Sequence, residues 1–232
     1  MVRRICGDRP SYGSPRVRRI AARDHGQMMS HHRVRSIMAE EGLLIAKPAN
    51  RRPSRPHTGR IAVEDPNRRW ASDITSIHLW DGVTARFSYV LDCCDRSILS
   101  WRLGLRMQAA DIELMVEEAI AKRFPGSGFK TAGLEFLHDN GPEYIEKVFR
   151  KRLISWDVAD CRTPCYSPES NGMCEAFNGT FKRDYVYQGS LDNLETLRAQ
   201  IEKWVADYNS FAPHSALGML SPAEFYKLKS AA

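Results

Sequence analysis

The spacing of hydrophobic residues changes along the chain. In residues 14–47 apolar positions recur every three or four residues, which is typical of amphipathic helices. One helix is predicted to begin at Ser14-Pro15, with the serine as N-cap and the proline in the first turn, and a second at Ser30. Residues 1–13 lack this spacing and are predicted to be irregular. Two short helices with a glycine-bearing turn between them are typical of a helix-turn-helix unit.

From residue 67 onward the apolar positions alternate or form short runs, as they do in strands. The predicted order is three strands, a helix, a strand, a helix, a strand and two further helices. Strands are predicted at 70–80, 83–91, 97–105, 134–138 and 158–161, and helices at 109–124, 143–156, 171–185 and 191–208. This pattern predicts an α/β fold with a mixed five-stranded sheet flanked by helices, in the element order of the ribonuclease-H-like fold.

The two halves are predicted to be joined by a linker. Prolines and arginines recur between residues 48 and 66 without apolar periodicity, which indicates an extended segment. The predicted organisation is therefore a small all-α helix-turn-helix-like segment at 1–47, a Pro/Arg linker at 48–66 and a ribonuclease-H-like core at 67–232.

Charge is unevenly distributed between these parts. The chain carries a net charge of +6, but residues 1–60 alone hold 14 Lys and Arg against four acids. A basic head, defined here as residues 1–47, is typical of a module that binds a polyanion such as DNA. A helical hairpin that only packs on the core is the open alternative. The candidate DNA contacts in the head are Arg16, Arg18, Arg19, Arg33 and Arg35.

Other classes of protein are disfavoured by composition. No apolar run is long enough to cross a membrane, and no secretory signal is evident, so a cytoplasmic protein is expected. The six cysteines are scattered rather than arranged as a zinc site, and Cys93-Cys94 fit buried core positions.

Three acids stand out as candidate metal ligands. Asp139 follows the apolar run 134–138 directly, Glu175 lies 36 positions later near a helix start, and Asp73 lies inside a strand. Neighbouring central strands would bring Asp73 and Asp139 to one point, and the helix would add Glu175. Carboxylates on rigid elements suit Mg²⁺, and a metal pair suits phosphoryl transfer. Most of the 28 acids must nevertheless be ordinary surface residues.

Several residues near these acids have two possible roles. Lys182 lies seven positions after Glu175, on the same helix face, where it could meet a substrate phosphate or be a solvated charge. Arg183 follows on another face and is a further candidate DNA contact. Asp92 and Asp95 could compete as site members, but a turn is the better interpretation, with Asp95 pairing with Arg96 or capping.

Several motifs together make the chain similar to a known family. They are Trp70-Ala71-Ser72-Asp73-Ile74-Thr75, Leu91-Asp92-Cys93-Cys94-Asp95-Arg96, His138-Asp139-Asn140-Gly141-Pro142-Glu143-Tyr144, Ser167-Pro168-Glu169-Ser170-Asn171-Gly172-Met173-Cys174-Glu175-Ala176-Phe177 and Phe181-Lys182-Arg183-Asp184-Tyr185. With these, the chain resembles the second-frame (OrfB) transposases of two-frame bacterial insertion sequences, whose DDE catalytic core is similar to that of retroviral integrases. One departure is Ala212, which stands where the family often has Arg.

The resemblance implies a specific activity. It implies that Asp73, Asp139 and Glu175 form a catalytic triad that binds Mg²⁺ or Mn²⁺, with two ions when DNA is bound. It implies an integrase catalytic core that cleaves the element's 3′ ends and joins them to another strand, in DNA transposition, integration and recombination. Element ends and target DNA, a first-frame product or a fused transposase, and further copies of the chain are the expected partners. A simple nuclease of the same fold and an inactive or regulatory DNA-binding remnant stay open as alternatives.

Overall fold

A five-stranded sheet organises the larger part of the chain. The computed structural model describes residues 1–46, 63–163 and 172–231. The strands are β1 (Arg69–His78), β2 (Thr84–Asp92), β3 (Ile98–Gly104), β4 (Leu134–His138) and β5 (Val158–Arg162). Their spatial order is β3-β2-β1-β4-β5, with antiparallel pairing among β1, β2 and β3 and parallel pairing of β4 with β1 and β5. The predicted mixed sheet is therefore confirmed.

Helices cover both faces of this sheet. They are α4 (Ala109–Arg123), α5 (Pro142–Ile145), α6 (Lys147–Ser155), α7 (Gly172–Asp184), α8 (Leu194–Ser210) and α9 (Pro222–Ser230), with short 3₁₀ turns at Val186–Gln188 and Ser215–Leu217. Successive strand residues point to opposite faces, so Trp70 packs with α4, α5 and α6, whereas Ala71 packs with α7 and α8. Within the described ranges, no helix is long and apolar enough to cross a bilayer.

The basic head contains three helices rather than two. They are α1 (Val2–Asp8), α2 (Ser14–His25) and α3 (His31–Glu40). The prediction that residues 1–13 are irregular is wrong, because Val2, Ile5 and Cys6 are buried at helical spacing against the other two helices. A helix this short is held by packing rather than by its own propensity.

Two details of the head refine the predicted helix starts. Ser30 caps α3 as predicted, because its hydroxyl accepts a hydrogen bond from the Arg33 backbone N–H at 3.1 Å. Ser14 is not an N-cap: α2 begins at Ser14 itself, with Gly13 in the capping position. The Ser14 hydroxyl lies 2.9 Å from His31 Nε2 and so joins α2 to α3.

The head packs against the core. Arg16 forms an ion pair with the buried Asp184 at 2.6 Å, and Arg19 with Glu224 at 3.4 Å. Phe211, just after α8, packs against the hydrophobic cluster of the head. The predicted linker falls largely on residues 47–62, which lie outside the described residues, and the predicted division into domains stays a prediction.

Two helical predictions in the core need correction. The single helix predicted over 143–156 is two helices, because Glu146 has an extended backbone (φ −59°, ψ 135°) and separates α5 from α6. Helix α9 was not expected; Ser221 and Glu224 form a reciprocal capping box at its start.

Candidate active site

Asp73 and Asp139 are brought together by the parallel pairing of β1 with β4. Ala71 pairs with Leu137 in this ladder, and each aspartate lies two residues further along its own chain. The two aspartates therefore lie at the same level of adjacent strands. Because side chains alternate between the faces, Asp73 shares the Ala71 face, which α7 covers.

The pKa of Asp73 reflects its burial and the charges of the other two predicted acids. Burial raises the pKa of the Asp73 carboxyl, and the nearby charges of Asp139 and Glu175 raise it further. Hydrogen bonds from the Ile74 backbone N–H and the Asn178 side chain act in the opposite direction. The net effect is a pKa above the usual value, which is what a crowded group of carboxylates produces.

Glu175 stays apart from the two aspartates in this arrangement. It lies in the first turn of α7 and is exposed. Among the described residues, no three His, Cys, Asp or Glu side chains lie close enough to hold one metal ion. The structure thus brings Asp73 and Asp139 to one level and Glu175 into their electrostatic range, without a closed three-carboxylate site.

Asn178 is a site residue that the motifs and the charge pattern do not single out. Its side-chain Nδ2 donates a hydrogen bond of 2.8 Å to Asp73 Oδ2, which fixes that carboxylate against α7. Asn178 lies three positions after Glu175, so both are on one side of the helix. The same helical spacing that singled out Lys182 could have identified it.

The side chains of Lys182 and Arg183 lie on different sides of α7, as predicted. Partial burial lowers the pKa of the Lys182 ammonium, and the charge of Asp73 partly opposes this. Lys182 therefore lies within electrostatic range of Asp73, a member of the acidic cluster, defined here as Asp73, Asp139 and Glu175. Arg183 instead makes two hydrogen bonds to the Asp184 carboxylate, at 2.8 and 3.2 Å. The structure therefore places Lys182 on the Asp73 side of α7 and Arg183 on another side.

The loop after β4 holds Asp139 by several contacts. The Gly141 backbone N–H donates to Asp139 Oδ1 at 2.9 Å, and a Cβ at Gly141 would meet that oxygen at 3.0 Å. His138 is fully buried; its Nδ1 lies 2.6 Å from the Asp139 carbonyl and its Nε2 2.8 Å from Asp160 Oδ1. Its ring stacks on Tyr144, with centroids 4.8 Å apart. His138 therefore supports the Asp139 backbone rather than facing the carboxylates.

Asp92 and Asp95 form a structural turn, as the sequence indicated. Asp92 accepts hydrogen bonds from the backbone N–H groups of Cys94 and Asp95 and from the Trp70 indole. Of the two roles predicted for Asp95, pairing with Arg96 is wrong, whereas capping is confirmed, because its Oδ1 accepts a hydrogen bond from the Ser97 backbone N–H at 2.7 Å. Asp95 forms a buried ion pair with Arg123 at 2.9 Å, because the end of α4 packs over this turn.

The five arginines of the head fall into two groups. Arg16 and Arg19 are engaged by the carboxylates of the core, as described above. The side chains of Arg18, Arg33 and Arg35 are exposed. The structure therefore leaves three of the five on open surface.

Comparisons with known proteins agree with this geometry. Two family models of an integrase core domain match the chain, over residues 63–168 and 158–222. The uncharacterized protein of insertion element IS136 from Agrobacterium fabrum is 36% identical over 195 residues, which cover 83% of this chain and 100% of that protein. Transposase InsD of insertion element IS2 from Escherichia coli is 33% identical over 235 residues, which cover 99% of this chain and 78% of InsD.

Solved structures show the same fold at low sequence identity. A chain of the simian T-cell lymphotropic virus intasome matches with a TM-score of 0.62 at 18% identity, covering 97% of this chain and 74% of that one. The HTLV-2 integrase catalytic core domain, solved in complex with magnesium, matches with a TM-score of 0.53 at 16% identity, covering 71% of this chain and 98% of that one. The predicted ribonuclease-H-like α/β fold is confirmed.

The fold and the integrase core matches define a polynucleotidyl transferase. The chain belongs to the insertion-sequence transposases of the DDE integrase family.

Proposed function

We propose that this transposase cleaves the 3′ ends of an insertion sequence and joins them to another DNA strand. The proposal rests on the position of Asp73 and Asp139 at the same level of adjacent strands. Two residues of α7 lie beside them: Asn178 is hydrogen-bonded to Asp73, and Lys182 is within range of the Asp73 charge. In-line displacement at phosphorus needs negative charge to be neutralised and the reacting oxygens to be positioned, and this constellation suits both tasks.

Asp73, Asp139 and Glu175 are the proposed ligands of Mg²⁺ or Mn²⁺, with two ions when DNA is bound. Their all-oxygen donor set fits these hard cations. The raised pKa of Asp73 also fits, because the neighbouring carboxylate charges that raise it would be balanced by a cation. Such a metal pair would supply activation of the attacking hydroxyl or water and charge stabilisation at the leaving oxygen.

The surrounding residues would orient these carboxylates and the DNA. Asn178 holds one oxygen of Asp73, and the Gly141 backbone N–H holds one oxygen of Asp139. The Ile74 backbone N–H holds the other oxygen of Asp73. Lys182 would contact the phosphate next to the scissile bond, where a cation stabilises the charge of the transition state.

The exposed arginines of the head are the proposed phosphate contacts, together with Arg183. Arg18, Arg33 and Arg35 are on open surface, so the triple change to Gln should weaken DNA binding without disturbing the ion pairs to the core. If all three bind phosphates, the slope of log affinity against log salt should fall by about 2.7, at about 0.9 per contact. The change Arg106→Gln, at another exposed arginine, is the matched control. An unchanged slope in the triple variant would remove these residues from the interface.

Assembly on DNA is part of the proposal. Two element ends must be joined to one target, so we infer that several copies act together, with the first-frame product or a fused form supplying recognition of the ends. The simian T-cell lymphotropic virus chain that shares this fold was solved within an intasome, which supports the inference. Size-exclusion chromatography with light scattering, with and without end DNA, tests for assembly.

A strand-transfer assay tests the activity. Labelled element ends, target DNA and Mg²⁺ are incubated with the wild type, Asp139→Asn and the matched surface control Asp81→Asn, which changes an acid in the β1–β2 turn. We expect joined product from the wild type and the control, and none from Asp139→Asn. Cleaved product that is never joined would favour the nuclease alternative, and no product under any condition would favour the DNA-binding remnant.

A further inference from the structure

A pocket of about 490 Å³ lies behind α7, between the basic head and the segment that follows α8. Phe177 and Tyr208 contribute aromatic surface to it, with ring centroids 5.4 Å apart in an edge-to-face arrangement. The segment after α8 contributes His214 and Ala216. Its volume lies in the range of pockets that bind small organic ligands.

The polar lining of the pocket is positively charged. Arg16, Arg96 and Arg183 all line it. Asp184 pairs with Arg16 and Arg183 together, so one carboxylate balances two guanidinium groups. In the described parts of the chain, Arg96 makes no ion pair and no carboxylate lines the pocket. The pocket therefore carries about two uncompensated positive charges, which favour an anion.

Two buried polar atoms at the pocket have no hydrogen-bond partner among the described residues. They are Arg96 Nε, a donor, and His214 Nε2. Burial and the charge of Arg16 lower the pKa of His214 to about 4, so its ring is neutral at pH 7. A neutral imidazole has one acceptor nitrogen, and Nε2, which has no partner among the described residues, can take that role. A buried polar group without a partner is costly, and a ligand with both a donor and an acceptor would relieve this cost.

We propose that this pocket binds a single nucleotide. The phosphate lies at Arg96 and Arg183, the base lies against Phe177 and Tyr208, and an N–H of the base donates to His214. A nucleotide is complementary to this lining, because it has a flat ring with hydrogen-bond donors and acceptors on its edge and a negatively charged phosphate. The nucleotide is either free in solution or extruded from a DNA strand.

The position of the pocket links it to the active site. Ala176 lines the pocket, whereas Asn178 faces Asp73. Two helical positions differ by about 200°, so pocket and acidic cluster share α7 but lie on different faces. A nucleotide in the pocket would restrain the helix that carries Glu175.

Isothermal titration calorimetry of the full chain with dAMP tests the proposal. The titration is run in EDTA, so that the carboxylates cannot bind the phosphate through a metal. We expect saturable binding, weakened about tenfold or more by Arg96→Gln, which removes a charged hydrogen bond. Ala216→Phe, at an exposed position that lines the pocket, should block binding by filling it. Arg106→Gln should bind like the wild type, and thermal melting should confirm that all variants fold.

The titrations distinguish a free nucleotide from one extruded from DNA, and they include results that would overturn the proposal. Competition by single-stranded but not duplex DNA would identify an extruded nucleotide, and its absence a free one. Equal affinity for inorganic phosphate and dAMP would overturn recognition of the base. Unchanged affinity in both Arg96→Gln and Ala216→Phe would overturn the pocket. Since the titration needs no catalysis, its failure would leave the proposed strand transfer intact.

Discussion

Asn178→Ala separates a catalytic role of this amide from a structural one. The change removes a 2.8 Å hydrogen bond to the partly buried Asp73 carboxylate. A hydrogen bond to a charged group contributes about 1.5–3 kcal/mol, and the partial exposure of Asp73 favours the lower half of this range. We therefore expect strand transfer to slow by about 13- to 45-fold at neutral pH.

The same change should shift the pH dependence of activity. The Asn178 hydrogen bond lowers the pKa of Asp73, so its loss raises that pKa further. The reactive form is the carboxylate, so the acidic limb of the rate profile should move to higher pH. Strand-transfer rates between about pH 5.5 and 8.5 measure the shift. The control is Gln188→Ala, which removes an exposed amide in the 3₁₀ turn after α7.

Stability should respond differently from activity. Asn178 Oδ1 is buried without a partner among the described residues, and alanine is the better helix former. These two gains offset the lost hydrogen bond to Asp73, so the melting temperature of Asn178→Ala should change little while activity falls. A variant with wild-type rates and an unshifted acidic limb would refute the positioning role, and parallel losses of activity and stability would indicate a purely structural one.

Three further predictions follow from the contacts of the core. Lys182→Gln should lower the rate of strand transfer about tenfold or more, because it removes the cation that faces the acidic cluster. Arg123→Met should lower the free energy of unfolding by about 3–5 kcal/mol, because it leaves the buried Asp95 carboxylate unpaired, as urea unfolding will show. Burial raises the pKa of Asp184, but Arg16 and Arg183 outweigh it and hold that pKa low. Stability from such a group is lost as pH falls through its folded pKa, so Arg16→Gln should begin losing stability at a higher pH in acid melts.

Each of these has its own control and contrary result. Lys203→Gln, at an exposed lysine of α8, should leave the rate unchanged, and an equal loss there would deny Lys182 a special role. Adding Asp95→Asn to Arg123→Met should recover stability; no recovery would mean that lost packing on Tyr226, rather than the ion pair, matters. Identical acid melts of wild type and Arg16→Gln would show that the pair with Asp184 does not hold its carboxyl ionised.

The hydrophobic pattern predicts the core well because its elements are long and strongly periodic. The strand over 134–138 is placed to the residue, and the position of Asp139 at its end follows from that alone. The break at Glu146 is not predicted, because the hydrophobic spacing continues through it without interruption. Helix α1 is not predicted either. Its seven residues are stabilised by packing against α2 and α3, and local hydrophobic spacing does not reveal such packing.

Long-range pairing of charges is the part that sequence does not reveal. Arg16 is as basic as Arg33 in the sequence, but only Arg16 meets a buried carboxylate, 168 positions away. The partner of Asp95 is also not predicted by the sequence. Arg96 is its neighbour in the chain, but Arg123 is its neighbour in space. Asn178 is missed for another reason. It is uncharged and so does not stand out as a metal ligand or phosphate contact. Its spacing from Glu175 nevertheless places it on the side of α7 that meets Asp73.

We propose that Asp73, Asp139 and Glu175 together hold the catalytic metal. Anomalous diffraction from a crystal of the complex with end DNA, soaked with Mn²⁺, tests it most directly. We expect anomalous density about 2.0–2.3 Å from carboxylate oxygens of Asp73 and Asp139, with Glu175 completing the site. Full occupancy at another position, with no density between these two aspartates, would contradict it.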